Sequence, residues 1–381
     1  MNASRDGLYV GLMSGTSADA IDAALCRFDP RPTLLHAHAH PWPTALRQRL
    51  LAVAQGETGI DLDALGRLDT ALGAVFADAV QALLRDADVD AATVRAVGSH
   101  GQTLRHRPHG DAPFTLQLGN PWVIAERCGI DTVADFRRAD VAAGGQGAPL
   151  MPAFHAAVLA APGHVRAVLN LGGIANLTVL AADGTVSGFD TGPANGLMDA
   201  WCERHLGRPM DADGAFAARG RPDPALLDAL LSDPYFAAVP PKSTGREHFR
   251  LAWLDAQPRV RALPAQDVQA TLLALTVRSI ADAVAQHANA AEDILVCGGG
   301  VHNGALMRAL AEVLAPRRVA RTDTLGVDAD YLEAMGFAWL ARQHLLGLPG
   351  NLAAVTGARG PRVLGTRHPA PCAAADLSRS G

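Results

Sequence analysis

The feature that most narrows the fold is a pattern met twice along the chain. Leu8 to Met13 is a short apolar run that ends in the turn composition Ser14-Gly15-Thr16-Ser17, and further apolar runs follow from Ala20 to Phe28 and from Thr33 to His40. Three strands with tight connections and no helix between them predict an antiparallel meander. At Arg166 the theme returns: a strand to Asn170, the Gly-rich turn Leu171-Gly172-Gly173-Ile174-Ala175-Asn176, a strand from Leu177 to Leu180, the turn Asp183-Gly184, and a strand from Val186 to Phe189. The halves do not align residue by residue, so the duplication is architectural. A chain of 381 residues has the length for two such domains.

Between the meanders the period changes. Leu62, Leu65, Leu68, Leu72, Val75 and Leu83 share one helical face, whereas Val94 to Gly98 and Phe114 to Leu118 read as strands and Pro149 to Leu159 as a helix. In the second half, Leu273, Val277, Ile280 and Val284 form one helical stripe, and Leu306, Leu310, Val313 and Leu314 another. A buried strand, Ile294 to Cys297, lies between them. The domain expectation is therefore 1–163 and 164–330, with a helix from about 331 to 365 completing the first domain and a disordered tail over 367–381.

Composition excludes several classes. With 33 Lys and Arg against 38 Asp and Glu, the net charge is -5, which argues against a general binder of nucleic acid or anionic membrane. No apolar run approaches the roughly 20 residues of a membrane span, and Met1 to Gly7 has no apolar core of a secretory signal. The five cysteines are odd in number and scattered, which disfavours a disulfide framework or structural zinc and points to a cytoplasmic protein.

Three Gly-rich turns emerge from apolar strands: Gly15-Thr16-Ser17, Gly172-Gly173 and Gly298-Gly299-Gly300. Successive N–H groups in such turns can cradle an anion, although strand connections also need glycine for purely structural reasons. None fits the Gly-Lys-Ser/Thr phosphate loop or the dinucleotide fingerprint. Taken together, they suit a nucleotide gripped between two similar domains. Asp190, at a strand end before a helix, reads either as an N-cap or as a chemically active carboxylate; Thr191 or Asn195 could cap as well. Glu333, near the start of a late helix, carries the same ambiguity with the helix dipole. Asp19 and Asp22 could hold Mg²⁺ or simply bond the hairpin. Polar clusters at Ser99-His100-Gly101-Gln102-Thr103, at Asp135-Phe136-Arg137-Arg138-Ala139-Asp140 with the flexible-looking 144–149, and at Lys242-Ser243-Thr244-Gly245-Arg246-Glu247 lack an easy structural role. His36, His38 and His40 alternate and are expected on an exposed sheet face without a metal.

These motifs carry a resemblance. Gly11-Leu12-Met13-Ser14-Gly15-Thr16-Ser17-Ala18-Asp19, Ser99 to Thr103, Ala134 to Arg137, Asn170 to Asn176, Phe189 to Asn195, Lys242 to Glu247, Gly298 to Asn303 and Glu333-Ala334-Met335 resemble, in order, the signatures of anhydro-N-acetylmuramic acid kinases. Ala20 departs from the family's usual Gly, which would strain a turn needing positive φ. The resemblance implies an α/β fold of two ribonuclease-H-like domains, in the superfamily of actin, hexokinase and heat-shock-chaperone ATPases, with an interdomain ATP cleft. It implies that 1,6-anhydro-N-acetylmuramic acid, ATP and water give N-acetylmuramic acid 6-phosphate and ADP in cell-wall recycling, with Mg²⁺ and in a homodimer.

On the same grounds Asp190 would be the general base and Glu333 a second, substrate- or water-orienting carboxylate. Gly15, Thr16, Ser17, Ala18, Asp19, Ala20, Ile21 and Asp22 would take the ATP phosphates, with Gly172 and Gly173 as a second phosphate turn and Gly298, Gly299 and Gly300 beside the adenosine. His100, Gln102, Arg137, Asn195 and Lys242 would touch the sugar, Arg137 or Arg138 its lactyl carboxylate. A conventional sugar kinase of the same superfamily is the nearest rival, and a nucleotide-dependent chaperone module a more distant one.

Overall fold

The computed structural model describes residues 7–15, 18–29, 31–54, 59–240, 242–245 and 248–372. It divides into two compact units, unit 1 comprising Met1–Phe154 and Glu333–Gly381, and unit 2 comprising His155–Leu332. Unit 1 contains β1 (Leu8–Met13), β2 (Ala20–Arg27), β3 (Thr33–Pro41), β4 (Val94–Ser99), β5 (Gln102–Arg107), β6 (Phe114–Leu118) and β7 (Thr132–Ala134). Unit 2 contains β8 (Arg166–Leu171), β9 (Ile174–Leu180), β10 (Val186–Pro193), β11 (Asp293–Cys297) and β12 (Arg318–Arg321), and β13 (Thr366–His368) returns to unit 1.

The two main sheets have the same wiring. From its meander edge, one runs β3-β2-β1-β4-β7, with β13 added at the far side, and the other runs β10-β9-β8-β11-β12. In each, the meander is antiparallel, and its first strand pairs in parallel with a strand from later in the unit. This order is that of the ribonuclease-H-like sheet, so the α/β class expected from the doubled meander is present in both units. β5 and β6 form a separate hairpin.

Close backbone packing sets the first unit's geometry. The helix Leu332–Leu345 lies directly against β1 and β4. A Cβ at Gly11 would fall 1.8 Å from the Ala334 carbonyl oxygen, and one at Gly98 2.0 Å from that of Phe337. Only glycine allows this approach, and it fixes the position of Glu333 in the first turn of the helix. The helix Leu62–Asp86 covers the meander with Leu68, Leu72, Val75 and Leu83 buried and Leu65 partly buried, as its periodicity predicts, whereas Leu62, expected on the same face, is exposed at the helix start beyond the edge of the core; the Asp61 side chain caps the helix.

Several details differ from expectation. The helix Ala265–His287 buries Leu272, Leu275, Ile280 and Val284, whereas Leu273 and Val277 are only half-buried, because neighbours cover it on more than one side. By length and composition this helix could cross a membrane, contrary to the absence of such a run expected above; 61 % of its apolar window is buried, as in a core helix. Val313 is exposed at the end of the helix Gly304–Val313. Arg367 and His368, assigned to the tail, instead form β13, pairing with β7 and bonding Arg367 to Asp131 at 2.7 Å; residues 373–381 lie outside the described residues. The histidine face of β3 is half-buried and not exposed, because the helix Leu62–Asp86 brings Asp86 to 2.9 Å from His38, which in turn lies 3.3 Å from His40.

Candidate active site

In unit 1 the candidate residues collect at the C-terminal ends of β1, β4 and β7. The Gly15 carbonyl accepts from Ala18 N (3.0 Å) and from Gln102 Nε2 (3.0 Å), and Ser14 Oγ donates to the Ala20 carbonyl (3.2 Å). Thr16 and Ser17 lie outside the described residues. Among the described residues of this turn Ala18 has a positive φ, at 48°, and Ala20 opens β2 in extended backbone, so the departure from glycine at position 20 brings no strain. Ile21 is fully buried, and Asp22 pairs across from Met13. Asp19 is exposed and accepts from Arg47 Nη2 at 3.1 Å, so its nearest partner is a cation.

Behind this turn sits a buried polar chain. Arg137 donates from Nε (3.1 Å) and Nη2 (3.0 Å) towards His100 Nε2, and from Nη1 to the Gly147 carbonyl (2.7 Å). His100 Nε2 is thereby an acceptor, so Nδ1 carries the ring proton. Burial and the neighbouring guanidinium hold His100 well below its usual range, keeping it neutral. Burial draws Arg137 down to about 10 against the opposing pull of Glu333 and Asp140, which leaves it cationic at neutral pH. Glu333 moves the other way, pushed up by burial and held back by Arg137.

The 144–149 segment, expected to be flexible, is pinned by Asp140. This fully buried carboxylate accepts from Gly147 N (2.7 Å), Asn351 Nδ2 (2.6 Å) and Thr356 Oγ1 (2.7 Å). It thus fixes the Gly147 carbonyl that receives Arg137. Arg138 points elsewhere, 3.6 Å from Asp135.

In unit 2 the centre is Asp190. It lies within β10 and not at its end, at a register shift in which Asp190 faces Asn176 and Gly192 already faces Ala175. The extra residue, Thr191, makes a bulge, a device that re-aims a side chain. Asp190 does not cap the helix Asn195–Leu206, whose N-cap is Ala194 without a side-chain bond; Asn195 Nδ2 donates to the Leu171 carbonyl (3.0 Å) and Thr191 Oγ1 to that of Ala175. Instead Asp190 is gripped from the 242–244 loop and from the short helix Pro234–Ala237. Its N–H donates to the Lys242 carbonyl (3.2 Å), its carbonyl accepts from Tyr235 Oη (2.6 Å), and its Oδ2 accepts from Thr244 N (2.9 Å). Lys242 Nζ donates to the Tyr235 carbonyl (3.1 Å) and sits 4.7 Å from the Tyr235 ring centre, so it braces the same helix.

The Gly172-Gly173 turn is closed by the start of the next helix: Asn195 N donates to the Gly172 carbonyl, and Ala194 and Gly196 N to that of Gly173. Of the triplet, Gly298 and Gly300 are required by packing, since Cβ atoms there would meet Asn170 Oδ1 at 2.2 Å and Leu171 Cβ at 2.4 Å; Gly299 is exposed with nothing near.

Comparison with known proteins decides the family. The family model described as anhydro-N-acetylmuramic acid kinase matches residues 7–370. The chain belongs to that family. Members named anhydro-N-acetylmuramic acid kinase from Xanthomonas campestris pv. campestris (strain 8004) and Nitrosospira multiformis are 57% and 50% identical over 368 and 366 residues. Those alignments take in 95% of this chain and 97% and 99% of the relatives. An activator of 2-hydroxyisocaproyl-CoA dehydratase from Clostridium difficile with bound ADPNP overlays with a TM-score of 0.45 at 10% identity, across 89% of this chain and 96% of that one. Membership in the anhydro-N-acetylmuramic acid kinase family makes the chain a kinase.

Within this kinase, sequence reasoning missed the residues that hold the site. Tyr235 and Thr244 lie 45 and 54 positions from Asp190, and no local spacing links them. Asp140 stood inside a polar run with nothing to set it apart. Gly11 and Gly98 had a detectable signal, a glycine inside an otherwise apolar strand, which marks close backbone approach.

Proposed function

We propose that this kinase couples hydrolytic opening of 1,6-anhydro-N-acetylmuramic acid to phosphorylation of O6, giving N-acetylmuramic acid 6-phosphate and ADP in the recycling of peptidoglycan. The 6-oxygen of the substrate is locked in an internal acetal, so no free hydroxyl is available for deprotonation. Water attacks the anomeric carbon as the bond from that carbon to O6 breaks. O6 takes the γ-phosphoryl group, and the bond from that group to the ADP oxygen breaks. Asp190 removes the proton of the water, the part a general base plays in an inverting glycosidase.

The observation that supports this reading most is the grip on Asp190. A strand bulge and three hydrogen bonds hold backbone and carboxylate in one orientation without a helix end to cap. Glu333, His100, Gln102, Arg137 and Asn195 are assigned to orienting sugar and water. Lys242, whose ammonium braces the Tyr235 helix, contributes to the sugar site through the loop it anchors.

The turn from Gly15 to Asp22 and the Gly172-Gly173 turn receive the ATP phosphates, with Gly298 to Gly300 at the adenosine. Asp19 and Asp22 supply carboxylates of the kind Mg²⁺ accepts alongside phosphate oxygens and water, and one or two suffice. When bound with the nucleotide, the ion neutralises charge on the transferred group. We assign the enzyme to the cytoplasm as a homodimer, on the family's pattern; sedimentation of the purified chain at the mass of one copy would overturn the dimer.

Asp190→Asn keeps an oxygen for Thr244 N but removes the base. Turnover of 1,6-anhydro-N-acetylmuramic acid is expected to fall about 10²–10⁴-fold with little change in ATP affinity. Near-normal turnover would overturn the assignment. Reaction in ¹⁸O-water separates the hydrolytic kinase from a conventional one, since only the former places solvent oxygen on the anomeric carbon.

A further inference from the structure

Unit 1 contains a cavity of about 340 Å³ at the C-terminal ends of β4 and β7, a volume in the range of small-molecule pockets. It lies at the same sheet edge as the Gly15 turn. Ser99, His100 and Gln117 bring polar groups to it, and Leu116, Leu118, Pro121 and Ala134 give it an apolar wall. Asp69 and Asp135 also line it, with Arg138 beside them. Four polar atoms of its lining, Ser99 Oγ, His100 Nδ1, Gln117 Oε1 and His368 Nδ1, are buried without a hydrogen-bond partner, and Ser99 is fully buried. The Gln117 amide is held from its other side, Nε2 donating to Thr103 Oγ1 (3.1 Å) and Thr115 Oγ1 (2.8 Å), so its oxygen stands ready as an acceptor. Leaving such groups unpaired is costly, and a ligand that pairs them recovers that cost on binding.

We propose that this cavity receives the 2-acetamido group of the amino-sugar substrate, an inference that rests on the kinase reading above. The amide N–H meets the Gln117 oxygen, the Ser99 hydroxyl donates to the amide carbonyl, and the methyl group covers the leucine and proline wall. The substrate's other substituent, the lactyl carboxylate, is the wrong charge for this place. Burial already pushes the carboxyls of Asp69 and Asp135 up, and the Arg138 guanidinium is engaged with Asp135. A further anion would add repulsion. A neutral amide adds none.

The test is steady-state kinetics with three substrates: 1,6-anhydro-N-acetylmuramic acid, its N-deacetylated form, and 1,6-anhydro-N-acetylglucosamine, which lacks the lactyl group. Gln117→Met and Ser99→Ala are each expected to lower kcat/KM about tenfold on the two acetamido substrates, mostly through KM, and to leave the deacetylated substrate within about twofold. Equal losses on all three substrates would overturn the inference, as would losses confined to the lactyl-bearing pair. Should either variant fail to fold, the other variant and the unsubstituted protein still decide, because the unsubstituted protein must itself prefer the acetylated sugar to the deacetylated one. Failure of the unsubstituted protein to turn over the parent substrate would overturn the kinase reading together with this inference, whereas turnover with no acetamido preference overturns this inference alone.

Discussion

The two units share one sheet order and hold their chemistry in opposite ways. In unit 1 the polar groups hold one another: Arg137 on His100, Asp140 on Asn351 and Thr356, with His100, Asp140, Asn351 and Thr356 buried. In unit 2 a single carboxylate, Asp190, is held largely by its own backbone and by a loop amide, with Tyr235 and Lys242 bracing from outside. Buried side-chain networks are rigid but fail as a whole when one member goes. Backbone grips tolerate substitution around them and concentrate function in one residue. The same fold thus yields a unit whose candidate side chains form a buried network and a unit whose candidate carboxylate is held largely by backbone groups.

The comparison can be broken most forcefully at its two carboxylates. Asp190→Asn should abolish most turnover at little cost in stability. Asp140→Ala should do the reverse, stranding three buried donors and destabilising the protein by about 3–5 kcal/mol in chemical denaturation. Equal stability losses from the two substitutions would erase the distinction.

Acid comes next. Burial lowers His106 in unit 1 to about 4 and His155 in unit 2 to about 3, whereas both titrate near 6.5 when unfolded. Below pH 6.5 the unfolded chain binds the extra protons, so stability present at neutral pH is lost as pH falls, until each folded value is passed. By pH 4 His155 alone is expected to cost about 3 kcal/mol. Replacing it with Gln should flatten the stability profile between pH 6.5 and 4 in thermal melts, and an unchanged slope would contradict the assignment.

A smaller effect tests how unit 1 places Glu333. Gly98→Ala sets a methyl group against the Phe337 carbonyl and should destabilise by about 1–3 kcal/mol while lowering kcat, through displacement of the helix that carries Glu333 in its first turn. Smallest of all, Tyr235→Phe removes the 2.6 Å bond to the Asp190 carbonyl. It should cost about 1 kcal/mol of stability. Its kcat should fall while KM for ATP holds, which a merely structural tyrosine would not produce.

Much of this was legible along the chain. The doubled meander, the long amphipathic helix over Leu62–Asp86 and the Gly-rich turns follow from apolar periodicity and turn chemistry, which act between near neighbours. Short strands were not legible: Thr132–Ala134 and Thr366–His368 have three residues each, and Arg318–Arg321 is half arginine, so no pattern can build. Asp190 could be singled out as a candidate because it follows an apolar strand, precedes a helix and stands in one of the motifs that carry the resemblance. Its place at a bulge inside a strand, and not at a helix cap, depends on pairing with Asn176 and Ala175.

The sequence by itself determined the doubled meander and the family's motifs in their order. Tertiary structure alone decided which charges became partners: Asp140 with residues more than 200 positions away, Arg137 with His100, Asp190 with Tyr235 and Thr244. The reason is physical. Turns and periodic faces are set by local sterics and burial, whereas a buried polar group takes its partner from whatever the folded chain brings within about 3 Å, and no local rule encodes that distance.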